Sequence, residues 1–363
     1  MTQSVVIVGA GILGVTLAWR LARQSNLKIT LLDQADAGSG ASQHSFAWIN
    51  TAFSSTPDYM RFRAQAGQAW RQLDQDTAGR LNIQWSGALS WQQTPEQTAA
   101  FIQQQQDYGF HVQACTGLQI AQLEPNLKHF PDLAAYAVDD GAVPLDHVIQ
   151  SLLQEAIEAG VNYAAHQRVT SLIHHQNQVV GVSTTHGNYF ADQVVLASGV
   201  GNHALLQDCK IDLALTASPS ILMKMSYQHR TALLNRIVST PEMELRVCAI
   251  GQVLAAEDYI DAQAQNHPQL IAQQALLSIQ NNLKASHGLR LDQVSVGYRP
   301  MPTDTLPLVG AVPNLQGVYV LNSHAAVTLA PLLCQLAGQE ILSGNLQTAL
   351  APYRPNRIMS VSL

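Results

Sequence analysis

Gly9, Gly11 and Gly14 stand in G-x-G-x-x-G spacing, and Asp33 follows nineteen residues after the last of them. Glycines so placed suit a turn that cradles a diphosphate. Gly9 allows the turn, Gly11 lets the backbone approach an anion, and Gly14 lets a helix lie close on a strand, while the helix N-terminus offers unsatisfied N–H groups. Asp33, with Gln34 beside it, closes the apolar run Ile29-Thr30-Leu31-Leu32. A carboxylate there accepts hydrogen bonds from ribose hydroxyls and repels a 2′-phosphate. The chemistry implied is dinucleotide binding.

The elements needed to hold that turn are legible around it. Val5-Val6-Ile7-Val8 reads as a buried strand running into the glycines, and Gly14, Ala18 and Ala22, four apart, give the next helix a face of small residues. The run Val194-Val195-Leu196-Ala197 ends at Ser198-Gly199, as a parallel strand ends beneath a bound cofactor, which makes Gly199 a second expected contact. A Gly/Ser-rich loop occupies 38–42, and helices are expected over 59–73, 96–108, 268–285 and 328–342, the last stopped near Gly344. A helical pattern also runs from Asp146 through Ile157. Further strands are expected at 161–163, 169–173, 179–184, 189–195, 221–225, 294–299, 306–309 and 318–321. His174 and His175 fall in an expected surface hairpin with Gln176 and Asn177.

The chain has 363 residues, 47% of them hydrophobic and 12% charged, which supports a large core and two domains. A net charge of -6 without any lysine or arginine run disfavours nucleic acid and anionic lipid as partners. The four cysteines, Cys115, Cys209, Cys248 and Cys334, lie far apart and form no CxxC, so neither a disulfide framework nor a metal site is expected. No G-x-S-x-G elbow supports a nucleophilic hydrolase. The first apolar stretch lacks a basic flank and is broken by glycines, no later segment is long enough to span a membrane, and a cytoplasmic protein is expected.

The βα rhythm appears, lapses and returns along the chain. The expected fold class is α/β, or α+β overall: a discontinuous Rossmann-like cofactor domain over 1–80, 140–213 and 292–363, and a substrate domain over 81–139 and 214–291 on a mixed or antiparallel sheet.

Four segments then acquire a common meaning: 5–33; 38–50, ending His44-Ser45-Phe46-Ala47-Trp48-Ile49-Asn50; 297–310, opening Gly297-Tyr298-Arg299-Pro300-Met301-Pro302; and 323–331, opening Ser323-His324-Ala325-Ala326-Val327-Thr328. Together they resemble the FAD-dependent amine and amino-acid oxidoreductases that include D-amino-acid oxidase, glycine oxidase and sarcosine oxidase, over essentially the whole length. The resemblance implies FAD as cofactor, with Gly9, Gly11, Gly14 and Asp33 at its adenosine and diphosphate half. Gly40, Ala41 and Ser42 would contact the ribityl or diphosphate region, Val169 the adenine side, and Gly199 the same channel. Ala326, Thr328 and Leu329 would turn backbone N–H groups toward the pyrimidine edge of the flavin.

The same resemblance gives Arg299 the role of gripping a substrate carboxylate, for which a guanidinium fork is suited. Its structural alternative is a tether to a nearby acid such as Asp304. His324 is implied either as a polar substrate contact or as a neutral histidine holding a carbonyl near a helix start. His44 matches a loop position that carries a covalent flavin in some relatives, against an ordinary loop histidine, and non-covalent FAD is expected. Tyr59, Trp48 and Tyr259 are candidate pocket walls.

The implied reaction is oxidation of a C–N bond in an amino acid or N-methylated amino acid by hydride transfer to flavin N5, giving an imine that hydrolyses. The substrate is then a small amine or amino acid, and the acceptor oxygen or another oxidant; the absence of lysine from 246–261 leans toward a dehydrogenase. The alternatives are a flavin-carrying subunit without turnover of its own and an NAD-dependent dehydrogenase.

Overall fold

The computed structural model describes residues 3–50, 55–176, 178–228, 230–258 and 267–361. Its central sheet has the order Leu308–Ala311, Val318–Asn322, Gln193–Leu196, Ser4–Val8, Lys28–Leu32, Asn162–Ala164. All pairings are parallel except that of Leu308–Ala311 at the edge. Strands covered on both faces need consecutive apolar residues, and Val5, Val6, Ile7 and Val8 are all buried. Val5 and Ile7 enter the core formed with the helices Ile12–Gln24, Leu145–Glu158 and Ala326–Ser343. Val6 and Val8 enter the opposite core, closed by the three-stranded sheet of Val169–His175, Gln178–Thr184 and Gly187–Phe190.

Because the parallel strands end at one edge, three turns distant in sequence meet there. A Cβ on Gly14 would stand 1.8 Å from the Gly9 carbonyl oxygen, so the first helix lies on its strand only because that position is glycine. Gly9 has φ +102°, and a Cβ on it would stand 2.6 Å from the Ala197 carbonyl oxygen. Asn322 Nδ2 donates to the Gly199 carbonyl at 3.0 Å, tying the third turn to the second.

A second sheet of eight strands runs Arg290–Pro302, Leu215–Ser226, Gln252–Asp258, Glu244–Ala249, Ile237–Ser239, Ala88–Ser90, Leu133–Ala137, Val112–Thr116. It is mixed, with Ile237–Ser239 and Ala88–Ser90 parallel and the other pairs antiparallel. Ile221 and Met223 enter the core under the helix Pro268–Asn282, so the alternate residues Ser220 and Leu222 face the other way, toward the first sheet's turns. Register aligns Gly297 with Ser220 and Asp258, and Leu222 with Ala256. Gly297, Ser220 and Ala256 put little bulk on that face, which borders an open cavity.

Three expectations change. The strand Arg290–Pro302 pairs along its length with Leu215–Ser226, so the larger sheet extends past the boundary expected at 292. Pro300 and Pro302 do not break it, because it is an edge strand and lends hydrogen bonds to one neighbour only. The run expected as one strand over 189–195 is two strands in different sheets, Gly187–Phe190 and Gln193–Leu196, which serve separate layers. The helix expected over 59–73 is two, Pro57–Ala64 and Ala66–Asp76, parted at Gln65, whose N–H turns to the Phe62 carbonyl. Among the described helices Ala326–Ser343 alone has the length and composition of a membrane span, and 56% of that window is buried in the fold, where it lies against the first helix.

Candidate functional site

Two cavities meet at the edge where the parallel strands end. The first, about 620 Å³, is bordered by Gly9, Gly11, Asp33 and Gln34, by the loop residues Gly40, Ala41 and Ser42, and by Val169, Gly199 and Ala326. The second, about 560 Å³, lies over the eight-stranded sheet and is bordered by His44, Arg299, His324, Ala326 and Thr328. Ile12, Ala41, Ser42, Pro300, Ser323 and Ala326 border both, so the two form one channel.

Local structure fixes the first cavity. Asp33 Oδ2 accepts from Ala10 N–H at 2.7 Å and Oδ1 from Ala35 N–H at 3.0 Å, which orients the carboxylate and leaves lone pairs for ribose hydroxyls. Ser42 Oγ accepts from Ile12 N–H at 3.2 Å, binding the Gly/Ser-rich loop to the start of the first helix. Gly14 does not border the cavity; its part is the close helix–strand approach. Leu329 is a correction. It is fully buried, borders neither cavity, and its N–H is spent on the Ala325 carbonyl at 3.0 Å. The amides of Ala326, Val327 and Thr328 precede that first helical bond and belong to the residues that do border the site.

The second cavity is charged. Arg299 Nη2 donates to Ser218 Oγ at 3.3 Å, to the Pro219 carbonyl at 3.3 Å and to Asp258 Oδ1 at 3.2 Å. Asp304, the tether weighed for it in the sequence, is instead held by Arg357 through two hydrogen bonds. His324 is pushed down to about 4, first by burial and then by the charges of Arg299 and Arg63, against an opposing pull from Asp258. It is a neutral imidazole at pH 7. Glu244 is pushed up to about 7 by burial, with Asp258 and Glu257 adding repulsion. His44 is lowered, by burial and then by Lys224, and its backbone crosses Gly297 so closely that a Cβ there would lie 2.5 Å from His44 Cβ.

Arg63 is the residue that sequence reading missed. It is buried at 4% exposure, borders the cavity, and Nη2 donates to the Asn50 carbonyl at 2.9 Å. Helical spacing offered a weak signal: Arg61 projects to solvent with Asp58, whereas Arg63, two positions on, lies on the face shared with Tyr59 and Phe62. Asn322, Glu244 and Asp258 also border the channel without having been singled out. Trp48 walls the second cavity, with Nε1 bonded to Asp140, while Tyr59 belongs to the core and Tyr259 lies outside the described residues.

The channel's polar atoms test whether FAD suits it. Among the described residues, Asn322 Oδ1, Ser323 Oγ and His44 Nδ1 are buried without a protein hydrogen-bond partner, and all three residues border the channel. A ligand rich in hydroxyl and N–H groups would satisfy such atoms. The oriented Asp33, the helix N-terminus above Gly11 and the glycine turns would hold the adenosine diphosphate half. The residues fit the cofactor.

The class so defined is a flavin-dependent oxidoreductase. Residues 4–340 match the DAO family, described as FAD dependent oxidoreductase, and the chain belongs to it. Over 98% of its length it is 24% identical to glycine oxidase from Pseudomonas aeruginosa, covering 99% of that protein. It is 21% identical to an opine oxidase subunit from Rhizobium meliloti, over 97% of this chain and 96% of that one. The fold matches glycine oxidase from Geobacillus kaustophilus with a TM-score of 0.85 at 21% identity, covering 98% of this chain and 99% of that one. L-proline dehydrogenase from P. horikoshii gives a TM-score of 0.85 at 17% identity, covering 98% and 97%. The protein is an FAD-dependent enzyme of this family.

Proposed function

We propose that this flavoenzyme oxidises the C–N bond of an amino acid or N-methylated amino acid of the glycine, sarcosine or D-amino-acid type. The observation that carries the reading is that Arg299 and His324 border one cavity, which opens onto the cofactor channel at Ser42, Ser323 and Ala326. FAD held in the channel would supply a two-electron acceptor for hydride from the α-carbon or N-methyl carbon.

The chain's own residues bind and orient. Arg299 accepts a carboxylate in its fork and thereby fixes which C–H faces the cofactor. Gly297, Ser220 and Ala256 give the substrate room, while Leu222 and Trp48 exclude water from the reacting face. The first turn of the helix Ala326–Ser343, which has no side-chain cap, borders the channel, and its positive end would stabilise negative charge on the reduced flavin. The imine product hydrolyses in water.

Anaerobic titration with glycine, sarcosine, D-amino acids and proline analogues tests the reading: one of them should bleach the flavin band. His44 is read as a wall of the channel without a covalent link, so acid precipitation should release free flavin. Likeness to a relative named as an oxidase subunit favours a second reading, a flavin-carrying subunit that turns over only with a partner. Absence of bleaching with every substrate, together with a stable co-purifying protein, selects it.

A further inference from the structure

Arg246 lies in the strand Glu244–Ala249 of the eight-stranded sheet and is only 4% exposed, yet among the described residues no carboxylate pairs with it. Its hydrogen bonds go to backbone carbonyls. Nε donates to Phe46 at 2.6 Å and Nη2 to Val143 at 3.4 Å, with the Phe46 ring centroid 5.5 Å from Cζ. A buried cation without a counter-ion lowers the stability of a fold, because its lost hydration is incompletely replaced. Stability therefore does not explain this arginine.

What it holds is the loop 44–48, every residue of which borders the second cavity. Three successive carbonyls of that loop are caught by three elements remote in sequence: Phe46 by Arg246, Ala47 by the Val143 N–H at 2.9 Å, and Trp48 by Thr328 Oγ1 at 3.1 Å. The middle residue is strained. Ala47 has φ +57°, a backbone that a residue with a side chain seldom keeps unless its surroundings impose it. Arg246 acts on both sides of it, through the carbonyl just before Ala47 and through Val143, whose own N–H holds the Ala47 carbonyl.

We propose that Arg246 is a positioning residue: from the substrate sheet it keeps Ala47 left-handed, and so gives the loop 44–48 the shape that the cofactor channel requires. A second contact works to the same end, for Gly297 of that sheet lets the His44 backbone come close. The loop is thus set by the substrate domain as well as by the cofactor domain. The assignment holds whatever amine the enzyme oxidises, since it concerns the wall and not the substrate.

The test uses apoprotein reconstituted with FAD and followed by flavin fluorescence. Arg246→Met keeps the length of the side chain and its packing on Phe46 but removes the donors. Its FAD dissociation constant should rise at least about tenfold, while the urea midpoint of the apoprotein does not fall, because the unpaired charge has gone with the hydrogen bonds. Adding Ala47→Gly to that variant should recover most of the lost affinity, since glycine takes a positive φ without steric cost. Ala47→Gly alone should bind FAD as the parent does. Unchanged FAD affinity in Arg246→Met overturns the proposal. A midpoint that falls with the affinity makes Arg246 a stabiliser of the fold, and no recovery with Ala47→Gly separates it from the strained residue; either result also overturns it. Should Arg246→Met fail to fold, Arg246→Lys carries the same test, because one ammonium cannot match a guanidinium fork spread over two carbonyls.

Discussion

Arg299 and Asp258 are joined across the mouth of the cavity, guanidinium Nη2 to carboxylate Oδ1 at 3.2 Å, with Asp258 largely exposed. An incoming carboxylate must compete with this aspartate. An exposed pair of this kind is worth only about 0.2–1 kcal/mol, whereas a substrate carboxylate gripped by the same fork in a drier position gains more. Arg299→Met should raise the KM for carboxylated substrates at least about tenfold, the equivalent of roughly 1.4 kcal/mol. Asp258→Asn should lower that KM about two- to fivefold. Steady-state kinetics on both variants checks this; unchanged kinetics in Arg299→Met removes the arginine from the site.

Gly297 is where the eight-stranded sheet meets the loop that carries His44. A Cβ at Gly297 would lie 2.5 Å from His44 Cβ and 3.2 Å from the His44 carbonyl oxygen, so Gly297→Ala must push the loop away from the sheet. FAD affinity, read by flavin fluorescence on reconstitution, should fall at least about tenfold while the circular dichroism of the fold persists. Gly40→Ala is the contrast. Nothing in the protein lies within 4 Å of a Cβ there, so the apoprotein's denaturation midpoint should not move.

How far the site was legible follows from how local its causes are. The Gly9–Gly11–Gly14 turn is settled within six residues, and Asp33 stands at the end of the adjacent strand, so spacing alone exposed them. Arg299 and His324 were reached through the segments around them. Arg63 and Asp258 reach the site only because tertiary packing brings a helix near the first sheet and a strand of the second to one cavity, and nothing in their own neighbourhoods marks that meeting. Leu329 fails for a local reason that the sequence hides: its place relative to the first helical hydrogen bond decides whether its N–H is available. The strand Arg290–Pro302 was cut short because two prolines read as punctuation, when their place at a sheet edge makes them harmless.

The depressed His324 gives stability a pH signature with a definite sign. Its folded value lies near 4 against an ordinary 6.5, so the unfolded chain binds the proton first as pH falls. The contribution of the neutral ring is complete above about pH 6.5 and is lost on descent toward pH 4, on the order of 3 kcal/mol in total. In the apoprotein, His324→Gln should therefore shed that part of the acid destabilisation, so that the variant gains on the parent in urea midpoint between pH 7 and pH 4. A constant difference across that range would show that the ring titrates normally. Glu124, fully buried and pushed up to about 7, works in the opposite direction, costing stability as it ionises with rising pH, and it is common to both proteins.

The helix Ala326–Ser343, whose first turn borders the channel, is anchored at its other end by a buried ionic cluster. Arg354 grips both carboxylate oxygens of Glu340, Tyr319 OH donates to the same carboxylate at 2.7 Å, and Gln347 N–H donates to it at 2.6 Å. Glu340 is 6% exposed, so removing its cation strands a negative charge in the interior. Such a loss costs about 3–5 kcal/mol, far more than the net worth of the intact pair, because desolvation of the remaining charge goes uncompensated. Arg354→Met should accordingly lower thermal stability by several degrees or more, whereas Arg354→Met combined with Glu340→Gln should recover much of it by abolishing the stranded charge. Calorimetry on the single and double variants decides the matter: equal destabilisation in both would mean that the cluster holds the helix by packing rather than by charge.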